Sequence, residues 1–170
     1  MNAEERRKTL LRRLEQTAGP LSAGALAESF GVSRQIVVGD VAILRAAGAA
    51  ITATPRGYVL SGARESGYLQ KTLACVHDEA GTERELCTMV DNGCVVKDVI
   101  VEHPVYGQLV GALDLRSRYD VAQFLRRSAG VQPLSSLTDG LHLHTLLCPD
   151  EAAFCRVKRE LGEAGILFTE

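Results

Sequence analysis

The stretch "VSRQIVVGDVAILRAAG", Val32 to Gly48, decides how the first third of the chain folds. Ser33 stands where a helix needs a capping hydroxyl, Val37, Val41 and Leu44 recur at i, i+4 and i+7, and Gly48 closes the pattern. Just upstream, Ser22 caps a shorter predicted helix through Phe30, with Leu26 and Phe30 inward, and Gly31 supplies the tight turn between the two. Two short helices joined at a glycine, the second longer and serine-capped, form a helix-turn-helix signature. Working outward, "EERRKTLLRRLEQTAG" sets Leu10, Leu11, Leu14 and Ala18 on one helical stripe that ends at Gly19-Pro20. Downstream, "AAITATPRGYVLSG" reads as two strands around Pro55-Arg56-Gly57, the β-hairpin wing of a winged helix.

Charge agrees with a nucleic-acid role for this segment. The chain has 170 residues and a net charge of −2. Residues 1 to 66 carry nine Lys/Arg against six Asp/Glu, whereas residues 67 to 170 carry ten against fifteen, so only the first part is positive. In a DNA complex the start of the third helix enters the major groove, which puts Ser33, Arg34 and Gln35 at bases and phosphates. Arg56 at the wing tip would reach the backbone or the minor groove. The competing reading is a winged helix used for protein contact, with Arg34 an ordinary solvated charge. Ile36, Val38, Gly39 and Ile43 lie off the inward stripe and make this helix unusually apolar, so few polar side chains are left for readout.

With 46% hydrophobic and 24% charged residues, the composition suits one large or two small globular domains. No apolar run reaches the roughly 18 residues of a membrane span, and the charged start "MNAEERRK" does not read as a signal peptide, so a cytoplasmic protein is expected. The five cysteines are odd in number and none sits in a CxxC pair, which favours reduced thiols over disulfides or thiolate metal sites.

After the polar segment "SGARESG" the hydrophobic period changes to two. The expected boundaries are a winged helix over 1–62, a linker over 63–67 and a second domain over 68–170. "YLQKTLACV", "CVVKDVIVE", "QLVGALDL" and "LHLHTLLC" read as strands, and "TERELCTMVDNG", "SRYDVAQFLRRSAG" and "PDEAAFCRVKRELGEAG" as helices. The order βαββαβ plus a helix predicts an α+β protein whose second domain is a ferredoxin-like sandwich. In that topology the end of the first strand, the start of the first helix, the hairpin turn and the start of the fourth strand share one edge. His77, Glu85, His103, and His142 with His144 occupy those places, and they include every histidine of the chain.

In "DGLHLHTLL", Asp139 to Leu147, alternation turns Leu141 and Leu143 to the core and sets His142 and His144 together on the opposite face. Imidazoles with a carboxylate are a sensible ligand set for Zn²⁺, Ni²⁺ or another divalent transition metal. Glu85 also follows Thr82 by three and fits a capping box instead. His103, before Pro104, reads equally as a solvated loop residue or as pocket lining. Asp78 and Glu79 are further candidates, as carboxylate ligands or as groups that orient an imidazole.

"VSRQIVVGDVAILRAAG", "TPRGYVL", "CVHDEAGTERELCTMVDNGC", "DVIVEHPVYGQL", "SRYDVAQFLRR" and "PLSSLTDGLHLHTL" together resemble the niacin-responsive transcriptional repressors, in which a helix-turn-helix precedes a three-histidine (3H) regulatory domain. The resemblance implies a homodimer that represses genes of NAD synthesis and niacin salvage or uptake when nicotinic acid or a close relative is abundant. It implies a transition metal held by His77, Glu85, His142 and His144, and leaves His103 off the metal or beside the effector. The effector's ring is then expected near Val105 and Tyr106, with its carboxylate drawn to the metal or to free N–H groups at the first helix of the domain. A palindromic operator follows from the dimer. Two other functions compete: a regulator whose true effector is the ion, and a metal-dependent hydrolase. An enzyme is not expected, because the chain has no HExxH, no nucleophile with an obvious base and no phosphate-binding glycine loop.

Overall fold

In the computed structural model, which describes residues 2–61 and 67–169, the chain divides between Ser66 and Gly67 into two units. Most of the expected linker, 63–67, lies outside the described residues. The first unit holds α1 (Ala3–Gln16), α2 (Ala23–Phe30), α3 (Arg34–Ala46) and a hairpin of β1 (Ile51–Thr54) and β2 (Gly57–Leu60). Each helix begins at a side chain that accepts an otherwise unpaired amide: Asn2 from Glu5 N, Ser22 from Ala25 N, Ser33 from Ile36 N. Gly31 turns the chain between α2 and α3 in the left-handed region at φ 64°. Leu10, Leu14, Leu26, Val37, Val41 and Ile51 meet in one core. Burying each large side chain of this kind contributes about 1.5–3 kcal/mol.

One buried group in this core breaks the apolar pattern. Asp40 faces inward from α3 and accepts from Arg6 Nε at 2.6 Å, with Arg7 at 3.5 Å, tying α1 to α3. The wing is tied to the body as well. Leu21 and Tyr58 exchange backbone hydrogen bonds of 3.0 and 2.9 Å, and a Cβ on Gly57 would lie 2.5 Å from the Leu21 carbonyl.

The second unit comprises β3 (Leu69–Val76), α4 (Thr82–Asp91), β4 (Val95–His103), β5 (Gly107–Leu115), α5 (Arg118–Ser128), β6 (Leu141–Cys148) and α6 (Glu151–Glu163). Short 3₁₀ turns at Glu79–Gly81 and Leu134–Thr138 precede α4 and β6. The four strands form one antiparallel sheet in the order β3-β6-β4-β5. α4, α5 and α6 join it in one core with Leu73, Cys75, Val96, Leu115 and Leu146. The five cysteines are free, and burial pushes the Cys75 thiol up.

The fold is α+β as expected, but the strand order corrects the ferredoxin-like expectation. There the third strand fills the gap between first and second; here the fourth, β6, does so. The burial pattern gives the reason. β6 is buried at His142 and from His144 to Cys148, which suits an interior slot, whereas Gly107, Gln108 and Val110 of β5 are exposed, which suits an edge. The outer edge of β3 is covered by the chain's own tail, through Val76 N–H to Ile166 O and Phe168 N–H to Ala74 O.

A second correction concerns the faces of β6. His142 and His144 do share a face, but it is the core face, where they are 3% and 2% exposed. They pair there with Cys75 and Leu73 of β3. Leu141 is exposed and Leu143 half-buried on the other side. Imidazoles take a core position because each Nδ1 is met by a backbone carbonyl and each Nε2 faces Glu85.

Candidate functional site

Three elements bring four residues together. His77 follows the end of β3, Glu85 lies on the inner side of the first turn of α4, and His142 and His144 come from the start of β6. Thr82 is the first residue of α4 rather than its cap, and the cap position, Gly81, makes no side-chain bond. Glu85 is therefore not engaged in a capping box. Its carboxylate, 1% exposed, meets His77 Nε2 at 2.7 Å, His142 Nε2 at 3.0 Å and His144 Nε2 at 3.4 Å. The ligand atoms of His77, Glu85 and His142 all lie within 4.8 Å of one another. The His142 and His144 rings are 4.9 Å apart, edge to face.

The far nitrogens fix the chemistry. His77 Nδ1 lies 2.5 Å from the Asp78 carbonyl, His142 Nδ1 2.8 Å from the Gly140 carbonyl and His144 Nδ1 2.6 Å from the Asp98 carbonyl. A carbonyl only accepts, so every Nδ1 carries its proton and every Nε2 of a neutral ring turns a lone pair toward Glu85. Three lone pairs and a carboxylate are all acceptors, so they need a proton or a cation among them. His144 Nε2 makes this most evident: it is buried and has no hydrogen bond of acceptable geometry. The triad of His77, Glu85 and His142, with His144 Nε2 on the same carboxylate and each ring held by a backbone carbonyl, is a donor set that fits a divalent metal ion.

The electrostatics agree. Burial pushes the Glu85 carboxyl up, but the charge on His144 and the hydrogen bonds of His142 and His77 outweigh it and hold the group well below the usual carboxylate range. Burial pulls His77 and His144 down, and the facing carboxylate overcomes that and raises both. The pocket is closely walled. A Cβ on Gly81 would lie 2.8 Å from the His77 ring, and one on Gly140, at φ 89°, would lie 2.4 Å from the His77 carbonyl oxygen.

Sequence reading missed three contributors. Asp98 sits at a register shift in β4, where its carbonyl receives His144 and its side chain accepts Thr145 N–H at 2.9 Å. Gly81 and Gly140 wall the His77 ring and backbone. Nothing in "CVVKDVIVE" marks a bulge, and nothing in the sequence around Gly81 or Gly140 marks a close approach to His77. Asp78 helps through its backbone carbonyl, while its carboxylate accepts Gly81 N–H.

His103 is the last residue of β4, and Val105 and Tyr106 lie in the turn to β5; none of the three is among the residues grouped around Glu85. His103 Nδ1 accepts from Val105 N and Tyr106 N at 3.1 and 3.3 Å, and its ring stacks at 5.0 Å on Tyr106. Val105 and Tyr106 are three-quarters exposed. In the first unit Ser33, Arg34 and Gln35 are exposed at the start of α3, the Ser33 hydroxyl serving as the cap. Arg56 is half-buried at the wing turn, its backbone N–H donating to Thr54 Oγ1 at 3.3 Å. Among the described residues no helix is long and apolar enough to cross a membrane.

Comparison with known proteins matches both units. Residues 6–59 match the HTH domain and residues 70–170 the 3H domain. Over 169 residues the chain is 43% identical to the probable transcription repressor NiaR of Thermotoga maritima, covering 98% of this chain and 95% of that protein. It is 42% identical to the transcription repressor NadR of Bacillus subtilis, covering 97% and 94%. These relatives are DNA-binding regulators, not enzymes, and the chain belongs to their family of transcription repressors, in which an HTH domain is joined to a 3H domain.

Proposed function

We propose that this repressor acts on genes of NAD synthesis and niacin salvage or uptake, with nicotinic acid as co-repressor and a divalent metal held in its 3H domain. The observation that carries the proposal is the set of three histidines with Nδ1 bound to backbone carbonyls and Nε2 directed at Glu85. His77, Glu85, His142 and His144 would hold the ion. The chemistry such an ion supplies is Lewis acidity toward an anionic oxygen, which a pyridine carboxylate offers. The protein's part is to orient four ligands from three elements and to keep water from them. Val105 and Tyr106, exposed on the β4–β5 turn, and the half-buried His103 at the end of β4 are the proposed contacts for the ring.

The protein acts as a homodimer, so two α3 helices bind a palindromic operator, with Ser33, Arg34 and Gln35 in the major groove and Arg56 at the backbone or minor groove. Nicotinate must bind the aligned arrangement more tightly, since equal affinity for both would shift nothing. A second reading makes the ion itself the effector, favoured by the burial of the ligand set. Titrating operator binding with metal alone, then with nicotinate at saturating metal, separates them. A response only to nicotinate supports the proposal, and a response to metal alone supports the ion sensor. Calorimetry of nicotinic acid and nicotinamide, with and without chelator, gives the specificity. Unchanged nicotinate affinity and operator affinity in His103→Ala would remove that residue from the pocket.

A further inference from the structure

The outward surface of α3 is unusual for a helix in water. At helical spacing its crest is Gln35, Gly39, Ala42 and Ala46, all exposed. Ile36 and Ile43 flank one side at 43% and 51% exposure, and Val38 lies on the other at 38%. A glycine inside a helix is unfavourable relative to alanine, and a Cβ on Gly39 would meet nothing within 4 Å. The fold of this unit therefore has no use for the missing side chain or for the branched apolar groups beside it. An HTH repressor has a use for both, at the base edges.

We propose that α3 reads its operator mainly through thymine methyl groups. Ile36, Val38, Ala42 and Ile43 supply apolar contacts, Gln35 pairs with an adenine edge, and Gly39 lets the helix sit close to the bases. The proposal rests on α3 entering the major groove. There the C5-methyl is the one apolar group on a base edge, and glutamine pairs bidentately with adenine N6 and N7. Gln35 is the only crest residue with hydrogen-bonding capacity in its side chain, so a G·C-reading code has no arginine or lysine on the crest to use.

The test uses the full chain, with zinc and nicotinate both present and absent, to select duplexes from a random-sequence library. In the tightest duplex each thymine is then replaced singly by uracil, which removes only the methyl. The expected result is A·T pairs in each half-site and a loss of about fourfold for each contacted methyl, the equivalent of about 0.8 kcal/mol per buried methylene. Ile36→Ser and Ile43→Ser should abolish the uracil effect at their own positions. Gly39→Ala should raise the melting temperature yet weaken the selected duplex at least tenfold. Equal binding of thymine and uracil duplexes, or full affinity in Gly39→Ala, overturns the proposal while leaving DNA binding intact. Serine variants that alter oligomeric state and not uracil sensitivity also overturn it, in favour of a protein-contact face. If no duplex is selected, the DNA-binding reading fails and this one with it.

Discussion

Glycine carries much of the site's geometry at the scale of single residues. Gly140 combines a left-handed backbone with a Cβ position 2.4 Å from the His77 carbonyl oxygen. Gly130, at φ 77°, has a similar backbone but nothing within 4 Å. Gly140→Ala should therefore destabilise the protein by more than the roughly 1–2 kcal/mol of left-handed strain and weaken metal binding. Gly130→Ala should show the strain alone, with unchanged metal affinity. Thermal denaturation and metal titration of the two variants check this. The raised proton affinity of His77 and His144 gives a second expectation. Protons compete for the same nitrogens, so metal affinity should fall with acidification, beginning above the usual imidazole value, and metal uptake should release protons. Calorimetry in buffers of different ionisation enthalpy measures that release.

At the scale of elements, β6 is the centre of the second unit. It pairs on both sides and carries two of the four proposed ligands, so its amides should exchange slowest, with those of the first half of β5 much faster; hydrogen exchange read by NMR tests the ordering. Local patterns in the sequence were enough to identify the helices, the strands and the HxH pair. Serine caps and glycine turns are short-range chemistry, and Ser22, Gly31 and Ser33 act as their positions imply. Strand order is long-range, and the sequence did not show that β6 would separate β3 from β4. The histidine face was misread for the same reason: alternation shows which residues share a face, but which face is covered depends on where α4 and its Glu85 pack. The Asp98 bulge and the Asp40–Arg6 pair are products of packing and leave only an acidic residue in an apolar run as a trace.

For the whole molecule, the division at Ser66 and Gly67 separates two cores, each with its own chemistry. Metal held only by the second unit should stabilise that unit by mass action and leave the first unaffected. In calorimetry, chelation should lower one transition and leave the transition of the winged helix in place. Leu146→Ala, in the second core, should lower the same transition by about 2–5 kcal/mol, and Leu10→Ala should lower the other.

The proposed metal site of three carbonyl-locked imidazoles and Glu85 is tested most directly by titrating zinc or nickel into chelator-treated protein and into its Glu85→Gln and His142→Ala variants. The expected result is one tightly bound ion per chain in the native protein and a loss of at least a hundredfold in affinity in each variant, with the winged-helix transition unchanged. Full affinity in either variant, or no saturable binding to the native chain, would contradict it.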